Sequence, residues 1–395
     1  MRIPIFSVIS LINQDLDKLT SRFFEELYTE GQILPQLQDP SGIRTADPCI
    51  IYIASGGSEI QFAALMEQIQ AERIYLLTSG YSNSLAASME ILSFIRQRGG
   101  SGEIIHGSAG VCARKLKDIM AASEARKRIR GMKLGMVGEP SDWLIASRSD
   151  EAALRERLGI EVVPVSLEEL IEEYEKHAYR EDSWTEKLKS MEFDRQELRK
   201  ALDLYGALDR LVERYGLGGL SVRCFDLLER VKTTGCLGLA VLNARGIYGG
   251  CEGDLPSLVS MVILGEVSGQ PAFMCNPSRM DLEQGEMVLA HCTLPLNMPE
   301  QMELKTHFES DIGVAIAGQI PEDEITVFKI SGDLREYYVD GGRILKNMQD
   351  PTLCRTQIKV KLSSYDYFLE RPISNHHVIC CGDCRQALNY FLAFL

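Results

Sequence analysis

The stretch PCIIYIASGGSEIQFAALMEQIQ, residues 48–70, decides the fold class of the first part of the chain. Its first seven residues form a continuous apolar run, which is typical of a strand buried on both faces. A glycine turn and a helical segment follow this run. The same order recurs in RIYLLTSG, residues 73–80, and NSLAASMEILSFIRQRGG, residues 83–100, where glycines end the helix. Alternating strands and helices predict a parallel sheet covered by helices.

The alternation extends to both sides of this stretch. Before it, IPIFSVISL at residues 3–11 predicts a strand, and DKLTSRFFEEL at residues 17–27 predicts a helix. After it, a second unit begins near Lys133 with KLGMVGEPSDWLIAS and continues through the strand-like IEVVPVS. SLEELIEEYEKHA then predicts a helix that is capped by Ser166. We therefore expect two successive doubly wound α/β domains.

Three later segments of this second unit are less regular. Residues 177–215 are highly charged and predict one or two exposed helices whose charges form a solvated face. The segments GLSVRCFDLLE at 219–229 and CLGLAVLNARG at 236–246 predict further strands.

The sequence lacks a G-x-G-x-x-G motif after its predicted strands and lacks a G-x-x-x-x-G-K-[ST] motif. A nucleotide-dependent enzyme is therefore the least favoured function for these sheets.

The pattern changes after about Leu264, where short strand-like segments replace the helices. The segments are QPAFMCN, EMVLAHCTL, IGVAIAG, EITVFKIS, YYVDGGRIL and RTQIKVKL. Turn residues separate them, which predicts a mainly antiparallel barrel or sandwich. We expect an α/β protein with an N-terminal α/β domain at residues 1–128, a second at 129–266 and a C-terminal β-rich domain at 267–395.

Composition excludes several partners. The 395 residues carry a formal net charge of −14, which argues against a nucleic acid or an anionic membrane surface as partner. The start of the chain turns polar too soon for a signal peptide, and apolar runs stay short of the roughly 20 residues that span a bilayer. We therefore expect a cytoplasmic protein with reduced cysteines.

For Cys381 and Cys384 in CCGDC, ordinary packing is favoured over a structural zinc site.

The stretch YGGCEGDLPSLVSMVIL, residues 248–264, places two acids at the start of an apolar helix. Asp254 is a suitable N-cap, and Pro256 suits an early helical position. Glu252 precedes the cap, at the end of a predicted strand, where α/β proteins bind ligands. A surface-loop glutamate is an equally good interpretation of Glu252 from the local sequence.

Further candidates lie in the β-rich region: Asn276, Asp281, His291, His376 and His377. Together with Glu252 they form the mixed oxygen and nitrogen set that suits Mn²⁺ or a similar divalent ion. A single histidine is more often structural than a metal ligand. The structural interpretation is therefore favoured for His291.

The order CEGDLPSLVSMVIL, AFMCNPS, LAHCTLPL and NHHVICCGD resembles the L-fucose isomerase and L-arabinose isomerase superfamily. GEPSDWLIAS is similar to the uncharacterised fucose-isomerase-like branch. The resemblance covers nearly the whole chain and is strongest from Lys133 onward. It implies two α/β domains and a C-terminal barrel-like domain, and a homo-oligomer, a trimer or hexamer, with sites between subunits. It also implies the Mn²⁺-dependent conversion of aldoses to ketoses.

The resemblance also implies site residues. A glutamate, an aspartate and a histidine bind the metal in that family, and they match Glu252, Asn276 and His376, with His377 as the alternative histidine. Asn276 departs from the family pattern, because an amide can coordinate a cation but cannot act as a general base. Catalysis would rest on Glu252 and Asn276, and Asp281 or Asp254 could substitute for the missing acid.

The loops SGGSE and SGYSNS of the first domain resemble segments that contact the substrate in a neighbouring subunit. The substrate-binding residues implied by the resemblance are Ser58, Glu59, Asn83 and Ser84 of these loops and Trp143 of GEPSDWLIAS. SGGSE alone could hold an anion on helix-start amides, but a plain turn with a serine cap is favoured.

The sequence therefore predicts a metal-dependent aldose–ketose isomerase that acts on a monosaccharide through an ene-diolate. A non-catalytic sugar-binding or regulatory relative is the second hypothesis, because of Asn276. A metal-dependent sugar epimerase or lyase is the third.

Overall fold

The computed structural model describes residues 1–9 and 16–395. The chain divides into two compact units, one of Met1–Glu124 with Asn389–Phe394 and the other of Ala125–Leu388 with Leu395. The finer division into three domains stays a prediction. Within the described residues, each helix is too short or too polar to cross a bilayer.

The first unit contains a five-stranded parallel sheet with the strand order β2-β1-β3-β4-β5. Its strands are β1 Arg2–Val8, β2 Leu34–Leu37, β3 Cys49–Ile53, β4 Arg73–Thr78 and β5 Ser101–Ile105. The helices in this part of the chain are α1 Leu16–Gly31, α2 Glu59–Met66, α3 Ser84–Gln97 and α4 Ala109–Ile129. Every residue of β3 is buried, which confirms the prediction from its apolar run. The last two residues of the strand predicted at 3–11 lie outside the described residues.

The second unit begins with a four-stranded parallel sheet with the order β7-β6-β8-β9. Its strands are β6 Lys133–Val137, β7 Glu161–Val165, β8 Gly219–Val222 and β9 Tyr248–Cys251. The helices are α5 Glu151–Ala153, α6 Leu167–Tyr174, α7 Ser183–Ser190, α8 Arg195–Tyr215, α9 Phe225–Arg230, α10 Cys236–Ala244 and α11 Leu255–Ser268. Because the strands are parallel, the loops after their carboxyl ends lie at one edge of the sheet.

The prediction of strands at residues 219–229 and 236–246 is correct only for β8. Most of the remainder of the first segment belongs to α9, and most of the second segment forms α10. Residues 236–243 are all buried, so α10 has no polar face that would mark a helical period. A continuous apolar run of this length cannot be told from a buried strand by its pattern.

The charged stretch at residues 177–215 forms two helices, as predicted, but part of its charge is buried. Asp203 and Asp209 on α8 are 3% and 4% exposed. Asp203 accepts a hydrogen bond from Arg199 at 2.8 Å, and Asp209 accepts one from Arg245, which follows α10, at 2.6 Å. The expected solvated face is therefore wrong for these aspartates, because α8 packs against α6 and α10.

The rest of the second unit is the predicted antiparallel barrel. The strands are β10 Phe273–Asp281, β11 Glu286–His291, β12 Gln301–Lys305, β13 Ala315–Gln319, β14 Glu324–Ile330, β15 Tyr337–Asn347, β16 Thr356–Leu362 and β17 His377–Cys381. Six of them close in the order β10-β11-β16-β15-β14-β17, and β12 pairs with β13 separately. The last helices are α12 Asp366–Glu370 and α13 Arg385–Leu392.

Helix α11 connects this barrel to the parallel sheet. It contacts β8 and β9 of the sheet and β10, β14 and β17 of the barrel. Residues 255–265 are all buried, which explains why its sequence is apolar on every side. The start of α11 therefore lies where the carboxyl edge of the sheet meets the barrel.

Candidate active site

Glu252 lies in the tight loop between β9 and α11. Its backbone has a φ of +64°, a left-handed conformation that costs a non-glycine residue about 1 kcal/mol or more. Gly253 follows with a φ of +69°, and a Cβ on it would lie 2.8 Å from the carbonyl oxygen of Glu139. The loop is held by the amide of Ser141, which donates to the carbonyl oxygen of Glu252 at 2.9 Å. Such strain in a fixed loop is typical of functional sites.

The carboxylate of Glu252 is fixed from the side of the second α/β sheet. Its Oε2 accepts a hydrogen bond from Nε1 of Trp143 at 2.6 Å, and the side chain is 12% exposed. Burial raises the pKa of Glu252, but the nearby imidazole of His376 and the hydrogen bond from Trp143 outweigh burial and leave the pKa below its ordinary value. Glu252 is therefore ionised at neutral pH.

Asp254 has the predicted N-cap position on α11 and also contacts the ring of His376. Its Oδ1 accepts from the amide of Ser257 at 2.8 Å, which confirms the cap. Its Oδ2 accepts from the hydroxyl of Ser257 at 2.7 Å and lies 2.8 Å from Nδ1 of His376. Lys329 of β14, fully buried, donates to the Ser257 hydroxyl at 2.7 Å and lies 4.0 Å from Asp254. Burial raises the pKa of Asp254, yet Lys329 and His376 hold it well below its usual range.

His376 lies between the two acids and is fully buried. Nδ1 contacts Asp254, whereas Nε2 lies 3.5 Å from Oε1 of Glu252 and has no hydrogen-bond partner among the described residues. Burial lowers the pKa of His376, but Asp254 and Glu252 raise it to about 9. The neighbouring His377 instead has Nδ1 against the Asn375 carbonyl and Nε2 against the Tyr367 hydroxyl. The structure therefore brings His376, not the alternative histidine, to Glu252.

His291, at the end of β11, completes the group. Single ligand atoms of Glu252, His291 and His376 all lie within 4.8 Å of one another, and within residues 1–9 and 16–395 this is the one such group of three metal-ligand side chains. Nδ1 of His291 lies 3.0 Å from the Thr293 hydroxyl. Burial lowers the pKa of His291 to about 3, so the ring is neutral at pH 7.

The sequence favoured a structural role for His291 and did not predict its place beside Glu252 and His376. The register of the barrel accounts for this place, because Ala290 on β11 pairs with Asn276 on β10, and β17 pairs with the other side of β10. These pairings bring chain segments that are far apart in sequence to one end of the barrel. Local sequence contains no signal for the register of a closed barrel.

Glu252 and His291 of this group border a cavity of about 460 Å³, a volume typical of small-ligand sites. It is lined by Trp143, Cys224, Phe225, Leu228, Thr234, Cys236, Cys251, Glu252, Asn276, Ser278, His291, Cys292, His307, Phe308, Glu309, Leu353 and Cys354. Sequence reasoning missed His307 and Glu309, which lie in a loop that has no recognisable motif.

The other predicted residues have different positions. Asn276 is half-buried on β10 and lines the cavity. Asp281 is the last residue of β10, and its Oδ1 accepts from the amides of Glu283 and Gln284 in the turn that follows. It is exposed and does not line the cavity. Trp143 lines the cavity and also packs edge-to-face on Phe225 with 5.0 Å between the ring centroids.

Ser58, Glu59, Asn83 and Ser84 lie in the first unit. The hydroxyl of Ser58 donates to the carbonyl of Ser55 at 2.6 Å and makes no cap bond, so the predicted turn is present but the serine cap is wrong. Ser84 is buried and accepts from the Thr78 hydroxyl at 2.6 Å. Glu59 is half-buried and Asn83 is exposed. Their contact with a substrate stays a prediction.

In the CCGDC segment, Sγ of Cys380 lies 3.7 Å from Sγ of Cys384, and Cys380 is buried.

Comparison with known proteins gives relatives among sugar isomerases. A sulfoquinovose isomerase of Clostridium sp. (strain MSTE9) is 25% identical over 297 residues, which are 69% of this chain and 65% of the relative. A sulfoquinovose isomerase of Priestia aryabhattai is 24% identical over 232 residues, 55% of this chain and 50% of the relative. One of Alkalicoccus urumqiensis is 21% identical over 191 residues, 45% of this chain and 42% of the relative.

The chain therefore matches between about two fifths and two thirds of the length of these curated relatives. Protein-family models give no match to the chain. The chain is a distant homologue of sulfoquinovose isomerases, which agrees with its resemblance to the fucose and arabinose isomerase superfamily.

Proposed function

We propose that the chain is a metal-dependent aldose–ketose isomerase that acts on a monosaccharide. The observation that carries this proposal is the group of Glu252, His291 and His376 beside a cavity large enough for a sugar. The homology to sulfoquinovose isomerases supports the substrate class and the type of reaction.

The residues of this group fit a divalent cation. One carboxylate and two imidazoles suit Mn²⁺ or another first-row metal ion. The buried Nε2 of His376 is unpartnered, and Asp254 at Nδ1 gives the carboxylate–histidine arrangement that orients metal ligands in proteins. Glu252, His291 and His376 would hold the ion, and the amide oxygen of Asn276 is a fourth candidate. When bound, the ion would act as a Lewis acid and a template for two neighbouring sugar oxygens.

The side chains supply the remaining chemistry. Moving a carbonyl from C1 to C2 requires a proton to leave C2 and return at C1. Glu252 is ionised and takes that proton, while the N–H of Trp143 fixes one of its oxygens. The aromatic rings of Trp143, Phe225 and Phe308 line the cavity and reduce the access of water to the ene-diolate.

Removal of metal tests this proposal. The purified chain is incubated separately with sulfoquinovose, L-fucose and L-arabinose, and ketose formation is followed by colorimetry. We expect EDTA to lower turnover of the converted sugar by about 100-fold or more, and Mn²⁺ to restore it.

Other outcomes would reject the proposal. Sugar binding that survives EDTA, without turnover, would indicate the binding or regulatory relative that Asn276 makes the second candidate. A product that differs only in stereochemistry would indicate an epimerase. Among the described residues, the cavity lining contains no arginine or lysine. A preference for sulfoquinovose over the neutral sugars would therefore indicate that a basic side chain outside this lining binds the sulfonate.

Changing Asn276 to aspartate tests the position of that residue. We expect Asn276→Asp to tighten Mn²⁺ binding about tenfold, because a carboxylate adds one negative charge to the group of ligands. Isothermal titration with Mn²⁺ measures the effect. Asn297→Asp adds the same charge at an exposed loop residue and is the matched control. Unchanged or weaker binding in Asn276→Asp would show that Asn276 is not beside the metal.

A further inference from the structure

The proposed isomerisation needs a second proton-transfer group. As the base removes the C2 proton, the electron pair of the C2–H bond forms the C1–C2 double bond, and the carbonyl oxygen O1 takes a proton. The O2 hydroxyl then loses its proton, the C2 carbonyl forms, and C1 receives a proton. No oxidant or reductant is consumed. Glu252 can carry the proton between the carbons, but Asn276 cannot carry the one between the oxygens.

The two aspartates that could substitute for the missing acid do not suit this role. Asp254 is fully buried, and its two oxygens are engaged by Ser257, His376 and Lys329. Asp281 is exposed at the last position of β10 and does not line the cavity. Among the described residues, the carboxylates that line the cavity are those of Glu252 and Glu309.

We propose that Glu309 is the second proton-transfer residue, which donates a proton to O1 and accepts the proton from O2. This inference rests on the proposed function. Glu309 follows His307 and Phe308 in the loop between β12 and β13, and all three line the same cavity as Glu252 and Asn276. The acid that is missing from β10 is thereby replaced by one from a neighbouring loop.

The loop that carries Glu309 is held in place at several points. Nδ1 of His307 lies 3.1 Å from the Ser310 hydroxyl, and the amide of Asp311 donates to the His307 carbonyl at 2.9 Å. Arg355, beside β16, donates from Nε to the carbonyl of Thr306 at 2.7 Å. A fixed loop gives Glu309 a defined position at the cavity.

The surroundings of Glu309 also suit proton donation. Glu309 is an exposed residue that lines the cavity, and partial burial of its carboxyl group, together with the negative charge of Glu252, raises its pKa. A carboxyl group with a raised pKa beside a substrate cavity suits the role of a general acid.

The test compares Glu309→Gln, Glu309→Asp and Asp311→Asn in the full chain with Mn²⁺. The substrate is whichever of sulfoquinovose, L-fucose and L-arabinose the wild-type chain converts. We expect Glu309→Gln to lower kcat by about 10² to 10⁴-fold. KM and the Mn²⁺ dissociation constant, measured by isothermal titration, stay within about threefold of wild type, because Glu309 is not a metal ligand.

The controls separate proton transfer from structure. Glu309→Asp is expected to retain activity between those of wild type and Glu309→Gln, because the carboxylic acid is kept. Asp311→Asn, on the same loop with a side chain that is 87% exposed, is expected to keep the wild-type kcat. Wild-type kcat in Glu309→Gln, or equal losses in Glu309→Gln and Asp311→Asn, would overturn the inference. Absence of turnover in the wild-type chain with all three sugars would instead reject the proposed function, and the inference with it.

Discussion

Glu252→Gln is expected to lower kcat for the converted sugar by about 10³-fold or more, with the free energy of unfolding nearly unchanged. An amide cannot take the C2 proton and is a weaker metal ligand than a carboxylate. The amide oxygen can still accept the hydrogen bond that Trp143 donates to Glu252, so the loop keeps its anchor. Steady-state kinetics with Mn²⁺ and urea unfolding measure the two quantities.

The matched control for this variant is Glu283→Gln, which makes the same change in an exposed turn between β10 and β11. We expect its kcat to equal that of wild type. Wild-type kcat in Glu252→Gln would remove Glu252 from the mechanism. Loss of activity together with a lowered unfolding midpoint would mean that the variant reports on folding instead of chemistry.

Asp254→Asn is expected to destabilise the protein by about 3 to 5 kcal/mol. Asparagine is as good an N-cap as aspartate, so the cap of α11 can remain. The charge that balances the fully buried Lys329 and holds Nδ1 of His376 is lost, and an unpaired buried cation is costly. Urea unfolding measures the difference from wild type.

Two further variants make this prediction specific. Asp281→Asn removes the same charge from the exposed end of β10 and is expected to change stability by less than about 0.5 kcal/mol. Adding Lys329→Met to Asp254→Asn is expected to recover part of the loss, because neither partner is then a lone buried charge. If Asp254→Asn is as stable as Asp281→Asn, then Asp254 and Lys329 do not form a stabilising pair.

Much of the fold could be predicted because its signals are local. The apolar run at β3 and the glycine-ended helix α3 each reflect a few neighbouring residues, and the change to short strands after Leu264 marked the barrel. The helices α9 and α10 were missed because α10 is buried on every side and has no periodic pattern. The buried charges of α8 were missed because their partners, such as Arg245, come from other elements.

The site was predicted less completely. Glu252 and His376 could be found because each belongs to a short motif that the family resemblance made recognisable. His291 lies in LAHCTLPL, but a structural role was favoured for it because the register that brings it to Glu252 depends on closure of the barrel. Glu309 has no such motif and reaches the cavity through the course of a loop. The resemblance also could not indicate that Asp254 contacts His376, because 122 residues separate them in the chain.

Local sequence specifies most of the order of strands and helices, with α9 and α10 as the exceptions, as well as the acid at the end of β9 and the amide in place of an acid at position 276. These features depend on local periodicity and on the identity of single residues. The folded arrangement alone specifies which histidine meets Glu252, where the charge of Asp254 is balanced and which second carboxyl group borders the cavity. Barrel register and the burial of charge depend on contacts between distant segments, and those contacts exist only once the chain has folded.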